Sequence, residues 1–165
     1  MALQNKYSRV FHSKIGEKMI NNFIAKFTKE KIPFIKVKIK YFLENKELEE
    51  ISKQLNCKII SASLFLGEEE ETFKPSLALL EILSKTSKEK VFLTDIGEID
   101  FIYGRKKLSK RHIKSMQGKN RRKLVQNEYD ENLGYCKVVD EINIKNILDC
   151  GDFLRREKKS KTCIN

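Results

Sequence analysis

The sequence predicts an α/β protein in two parts: a small N-terminal α/β domain over residues 1–88 and a compact, mixed β-barrel-like domain over residues 89–165. Three observations predict it. Apolar residues first recur every four positions and then alternate, the signatures of a helix and of strands. Beyond "SKTSKEK" (Ser84–Lys90) the apolar runs shorten to strand length, and five of the seven glycines appear there. Charge also divides: residues 1–104 carry 17 basic and 15 acidic side chains, residues 105–165 carry 17 and 8.

Tyr7, Phe11, Ile15, Met19, Phe23 and Phe27 form the four-residue stripe, predicting a long amphipathic helix that ends before Pro33. "PFIKVKIKYFLEN" alternates, with Ile35, Val37, Ile39, Tyr41 and Leu43 on one face and Lys36, Lys38 and Lys40 on the other. That pattern predicts a strand or a tight hairpin with one wet side. Asn45 is placed to cap a second helix that turns Leu48, Ile51 and Leu55 inward. "KIISASLFLG" reads as a strand ending at Gly67, and Glu68–Glu71 as a solvated loop. "FKPSLALLEIL" fits a helix from Ser76 or a strand running into a short helix. Further on, "VFL", "DFIY", "KLV" and "LGYCKVV" read as short strands, with Asp95 and Asp100 flanking a turn at Gly97.

The formal net charge of +11 is concentrated in one stretch. "GRKKLSKRHIKSMQGKNRRK" (Gly104–Lys123) contains ten Lys or Arg, and no acid follows until Glu128. A polyanion such as RNA requires cations spread over a surface, and Arg adds planar, bidentate contacts. Lys106, Lys107, Lys110, Arg111, Lys114, Lys119, Arg121, Arg122 and Lys123 make one basic group; Arg155, Arg156, Lys158, Lys159 and Lys161 make a second. Asp149 is a plausible N-cap for a turn that places Arg155 and Arg156 at its end. "RKKLSKR" and "KNRRK" also have the composition of an import signal, but Leu108, Ile113, Leu124 and Val125 interleave with the charges and give the segment residues to bury.

Other chemistries find little support. Cys57, Cys136, Cys150 and Cys163 form no C-x-x-C pair, so neither zinc nor a disulfide framework is expected. No phosphate-cradling G-x-x-x-x-G-K or dinucleotide G-x-G-x-x-G occurs, and no cofactor is implied. His12 and His112 have no Ser, Cys or carboxylate at motif spacing, so no enzyme is expected. No apolar run is long enough to span a bilayer, and "MALQNKYSRV" lacks a secretory core, which predicts a non-exported protein with no membrane contact.

Three segments, "FIYG" (Phe101–Gly104), "ENLGYCKV" (Glu131–Val138) and "DCGDFLRRE" (Asp149–Glu157), together resemble the C-terminal PUA domain of the Nip-seven family of large-subunit (60S) ribosome biogenesis factors. That family shows an aromatic "F-L-Y-G" strand, an "L-G-F-G" strand and a closing "D-x-G-E-Y-x-R". The order of elements upstream is also similar to the family's N-terminal domain. Where the family has a glycine-rich stretch after the first motif, this chain has "KKLSKRHIKSMQGKNRRK"; Asn132 stands where a proline is usual, and Cys136 replaces a glycine. The resemblance implies a PUA-like domain in which Arg155 and Arg156 match a basic RNA-contacting pair. It further implies a non-catalytic factor that binds pre-rRNA in pre-60S particles, docks other assembly proteins through its N-terminal domain, is monomeric when free, and resides in the nucleus and nucleolus, or in the cytoplasm where there is no nucleus. A protein–protein adaptor and an accessory subunit of an RNA-modification complex are the alternatives.

Overall fold

A computed structural model describes residues 14–54, 63–152 and 155–156. They form a mixed α/β structure of two compact units. One comprises the chain up to Phe23 together with Glu30–Ser76; the other comprises Ile24–Lys29 and the chain from Leu77 onward. The division falls at Ser76/Leu77, earlier than the boundary near 88–90 that composition suggests, because the helix after Ser76 lies against a strand of the second unit.

In the first unit α1 (Lys14–Ile24) follows the four-residue stripe, burying Ile20 and Phe23. The part of the stripe at Tyr7 and Phe11 lies outside the described residues. β1 (Phe34–Val37) and β2 (Lys40–Leu43) form a tight hairpin through a two-residue turn in which Lys38 has φ 56°. The turn reverses the face after Val37, so the simple alternation fails. Ile39 is exposed, whereas Tyr41 and Phe42 are both buried beside an irregularity in the β2–β3 register. Lys36 is not on a wet face: it pairs across the hairpin with Tyr41 and reaches Glu69 at 2.6 Å.

Asn45 caps α2 (Lys46–Gln54), its Oδ1 accepting the Leu48 N–H at 3.2 Å, as its position predicts. The expected inward face is not realised, since Leu48 and Ile51 are exposed; Leu55 lies outside the described residues. β3 (Phe65–Glu69) runs through Gly67 rather than ending there, and it takes in Glu68 and Glu69. Glu69 accepts from Lys36 and Tyr41, which hold its carboxyl below the usual carboxylate range. β4 (Phe73–Pro75) completes a sheet ordered β1-β2-β3-β4, and the Phe23, Phe34 and Tyr41 rings cluster around β4 and β1 (Phe23–Phe73 5.3 Å, Phe34–Tyr41 5.5 Å, Tyr41–Phe73 5.7 Å).

The second unit begins with α3 (Leu77–Ser84), so "FKPSLALLEIL" is a strand running into a short helix. β5 (Lys90–Leu93) leads into α4 (Asp95–Ile102). Then come β6 (Lys107–Leu108), a three-ten turn (Lys110–His112), β7 (Ile113–Met116), β8 (Arg122–Gln126), β9 (Asn132–Val138) and β10 (Ile144–Asp149). These six strands make one sheet, β6-β10-β9-β8-β5-β7, which curls into a half-barrel. It is a mixed sheet: β5 pairs parallel with β8, and its other pairings are antiparallel. Val91, Leu93, Phe101, Leu108, Val125, Leu133, Cys136 and Ile144 form the core on its inner side. α3 lies against β9 on the other side and buries Leu79, Leu80 and Leu83.

One expected strand is a helix. "DFIY" and the Asp95–Asp100 turn belong to α4, which Thr94 caps by accepting the Gly97 N–H at 3.2 Å, with Asp95 and Glu98 in the first turn. Gly97 permits close packing, because a Cβ there would lie 2.2 Å from the His112 carbonyl oxygen. "FIYG" is thus the last turn of a helix and its exit, and Tyr103 is exposed.

Candidate nucleic-acid interface

The basic run from Arg105 to Lys123 is folded from end to end through β6, the three-ten turn, β7 and β8. The interleaved apolar residues explain why. Leu108 and Val125 enter the core, Leu124 is buried, and Ile113 packs against the core's edge. The cations between them therefore have fixed positions along strands and turns.

Most of the expected contact residues are on the surface. Lys106, Lys107, Lys110, Arg111, Lys114, Lys119, Arg121 and Arg122 are all exposed. Lys114 lies 3.8 Å from Glu128, and Arg121 donates to the Val139 carbonyl at 3.4 Å. Lys107 stands opposite Lys145 across β6 and β10, and Arg122 stands opposite Lys137 across β8 and β9. Lys137 and Lys145 are exposed as well, and their neighbours in sequence gave no sign that they adjoin the basic run. Strand register brings them there, with the alternation of "YCKV" and "IKNI" as the only local cue.

Two expected contacts are corrected. Lys123 is buried, with 2% of the residue exposed; its Nζ donates to Glu89 Oε2 at 2.9 Å and to the Gln117 carbonyl at 2.5 Å. It sits opposite Cys136, on the core side of the sheet, and so is not offered to a ligand. Glu89 also accepts the N–H groups of Lys119 (3.1 Å) and Asn120 (2.9 Å). Burial pushes this carboxyl up, but these donors outweigh it and hold it below the ordinary value. The ion pair pins the β7–β8 turn.

Arg155 is the second correction. Its guanidinium donates to both oxygens of buried Asp149 at 2.9 Å and to the Ile102 carbonyl. Asp149 is the last residue of β10 rather than an N-cap, and Asn146 Nδ2 also donates to it at 2.9 Å. Gly104 and Gly151 adjoin the arginine: a Cβ at either would lie 2.8 Å from a guanidinium atom. Arg155 thus ties the end of α4 to the end of β10, while Arg156 is largely exposed and pairs with Asp152 at 2.7 Å. Lys158 and Lys159 lie outside the described residues.

The structure brings together one group that spacing did not reveal. His112 is buried, with Asp100 Oδ2 3.1 Å from Nε2 and Ser109 Oγ 3.2 Å from Nδ1. The Ser109 backbone N–H donates to Nδ1 at 3.0 Å, which leaves Nε2 facing Asp100. Arg111 places its Nε 3.2 Å from Nε2, and Arg105 binds Asp100 at 2.5 Å, which chiefly holds that carboxyl below its ordinary value. The group locks the turn between β6 and β7 onto α4.

Among the described residues no cluster of His, Cys, Asp and Glu could hold a metal ion, and no helix is long and apolar enough to cross a membrane. No family model matches the sequence, and no curated protein is significantly similar to it.

Proposed function

We propose that this chain is a non-catalytic RNA-binding assembly factor for the large (60S) ribosomal subunit, related to the Nip-seven family, whose second unit is a PUA-like domain that binds pre-rRNA. The observation that carries this reading is the exposed, uncompensated basic surface of the second unit. Among the described residues, Lys106, Lys107, Lys110, Lys119 and Arg122 are exposed and have no acidic partner, in a part of the chain whose formal balance is +9. Such a surface attracts a phosphate backbone and releases the counterions condensed on it. The mixed, curled six-stranded sheet is in keeping with the architecture that the resemblance implies.

The first unit would dock other assembly proteins. It exposes Ile39, Leu48, Ile51 and Leu64, apolar side chains that a partner could cover. The factor would hold an rRNA segment during maturation in the nucleolus and then leave, acting by position rather than by bond-making.

Ultraviolet crosslinking of the protein to RNA in cells, followed by mapping of the crosslinked sites, tests the reading. Crosslinks are expected in large-subunit precursor rRNA and at peptides of the second unit. Recovery of an acidic protein with no RNA would favour the adaptor role instead, and a stable catalytic partner without ribosomal precursors would favour an RNA-modification complex.

A further inference from the structure

The register of the second sheet places four basic residues in one line. Lys107 pairs with Lys145, Lys145 with Lys137, and Lys137 with Arg122, across the adjacent strands β6, β10, β9 and β8. Directly opposed residues project from the same face of a sheet. That face is the outer one, because the next residues along, Leu108, Ile144 and Val138, are likewise mutual partners and point into or against the core. All four cations are exposed, and none has an acidic partner among the described residues. Strands lie about 4.8 Å apart, so the row runs about 15 Å across the sheet, perpendicular to the strands.

Lys26 lies near the Arg122 end of the row. Its carbonyl accepts from Asn120 Nδ2 at 2.6 Å, two residues before Arg122. Its own ammonium is made easier to deprotonate by burial and by the Arg122 charge beside it. Like charges set directly opposite one another destabilise a sheet, and opposite charges or Thr pairs would serve the fold better. Four in succession are an arrangement that folding does not need.

We infer that the Lys107–Lys145–Lys137–Arg122 row is a phosphate-binding strip that takes the sugar-phosphate backbone of one nucleic-acid strand laid across the sheet, without reading its bases. The inference rests on the RNA-binding reading above and assigns it a surface other than Arg155 and Arg156. The strip favours a nucleic acid over an acidic protein because it is a single continuous line of one sign, matching a polymer with a charge on every unit. The exposed side chains that flank the row just past β9 and on β10, Val139 and Ile147, are aliphatic and offer a base neither hydrogen bonds nor a ring to stack on.

The test uses the full chain and two unrelated single-stranded RNAs of about 20 nucleotides, longer than the site of one small domain. Binding is followed by fluorescence anisotropy at several salt concentrations. The strip variant carries Lys107→Gln, Lys137→Gln and Lys145→Gln; a control of equal charge change carries Lys18→Gln, Lys31→Gln and Lys46→Gln, exposed positions in the first unit. The strip variant should bind both RNAs about tenfold or more weakly, and the slope of log K against log salt should flatten by about 2, some 0.7 for each lost phosphate contact on a single strand. Its thermal unfolding should occur no lower than that of the wild type, since repulsion has been removed. Equal weakening by the control would show diffuse charge and overturn the strip, as would unchanged binding by the strip variant. Displacement of RNA by polyglutamate at matched charge would assign the strip to an acidic protein and overturn it too. A wild-type chain that binds neither RNA at low salt would instead defeat the RNA-binding reading itself.

Discussion

Arg155 shows how a residue's partners determine what its substitution reports. Its guanidinium spans Asp149, 5% exposed at the side chain, and the Ile102 carbonyl. Arg155→Ala would strand a buried carboxylate with Asn146 as its remaining side-chain donor, a loss of about 2 kcal/mol. Arg155→Lys should recover only part of it, because a point ammonium cannot reproduce the fork. Arg156→Ala, at an exposed pair, should change stability by less than about 0.5 kcal/mol. Chemical denaturation of the three variants checks this ranking. Equal costs at 155 and 156 would remove the clamp from the account.

Glu89 gives a pH dependence at the same scale. Its folded value lies below the ordinary carboxylate value, so the stabilisation is present above the unfolded value and is lost as pH falls through the folded one. Thermal unfolding should therefore ease as pH is lowered from about 5 toward 3, and Glu89→Gln should remove part of that dependence. An unaltered profile in Glu89→Gln would contradict the role given to the Lys123–Glu89 pair. The Cys136 thiol, pushed up to about 12 by burial, should stay unreactive to alkylating reagents until the protein unfolds.

Among the elements, β9 carries the most constraint. It lies between β8 and β10 with α3 against it, and Gly134 adopts φ 144° where a Cβ would fall 2.0 Å from the Leu148 carbonyl oxygen. Gly134→Ala should therefore cost at least about 2 kcal/mol, combining backbone strain with a contact that only strand separation can relieve. A melting temperature within a degree or two of the wild type would show that β9 and β10 have more freedom than this register allows.

Several elements were legible because a local signal fixes them. The stripe through Met19 and Phe23 marks α1, Asn45 marks the start of α2, and "KLV" and "LGYCKVV" mark β8 and β9. α4 was missed because its few residues, Ile96, Ile99 and Ile102 among them, carry strand propensity. Thr94 followed by Asp95 and Glu98 was the available sign of a helix start. Of the interface, the exposed basic run was legible from composition. The burial of Lys123 and the alignment of Lys137 and Lys145 were not, since both follow from pairings between strands far apart in sequence.

At the scale of the whole molecule, the charge imbalance is not spread evenly. The first part of the chain is nearly neutral, and among the described residues the basic run Arg105–Lys123 of the second unit has defined places on strands and turns rather than forming a floppy tag. A basic tag would act equally well unfolded, whereas a folded surface loses its alignment when the sheet melts. RNA affinity should therefore fall in step with the second unit's unfolding. The central claim is most directly tested by the equilibrium affinity of the full chain for large-subunit rRNA fragments between about 50 and 200 mM salt. The account predicts a linear fall of log K with log salt, with a slope steeper than about −3, corresponding to four or more neutralised phosphates. An affinity that barely changes over that range, or no binding at its lower end, would contradict it.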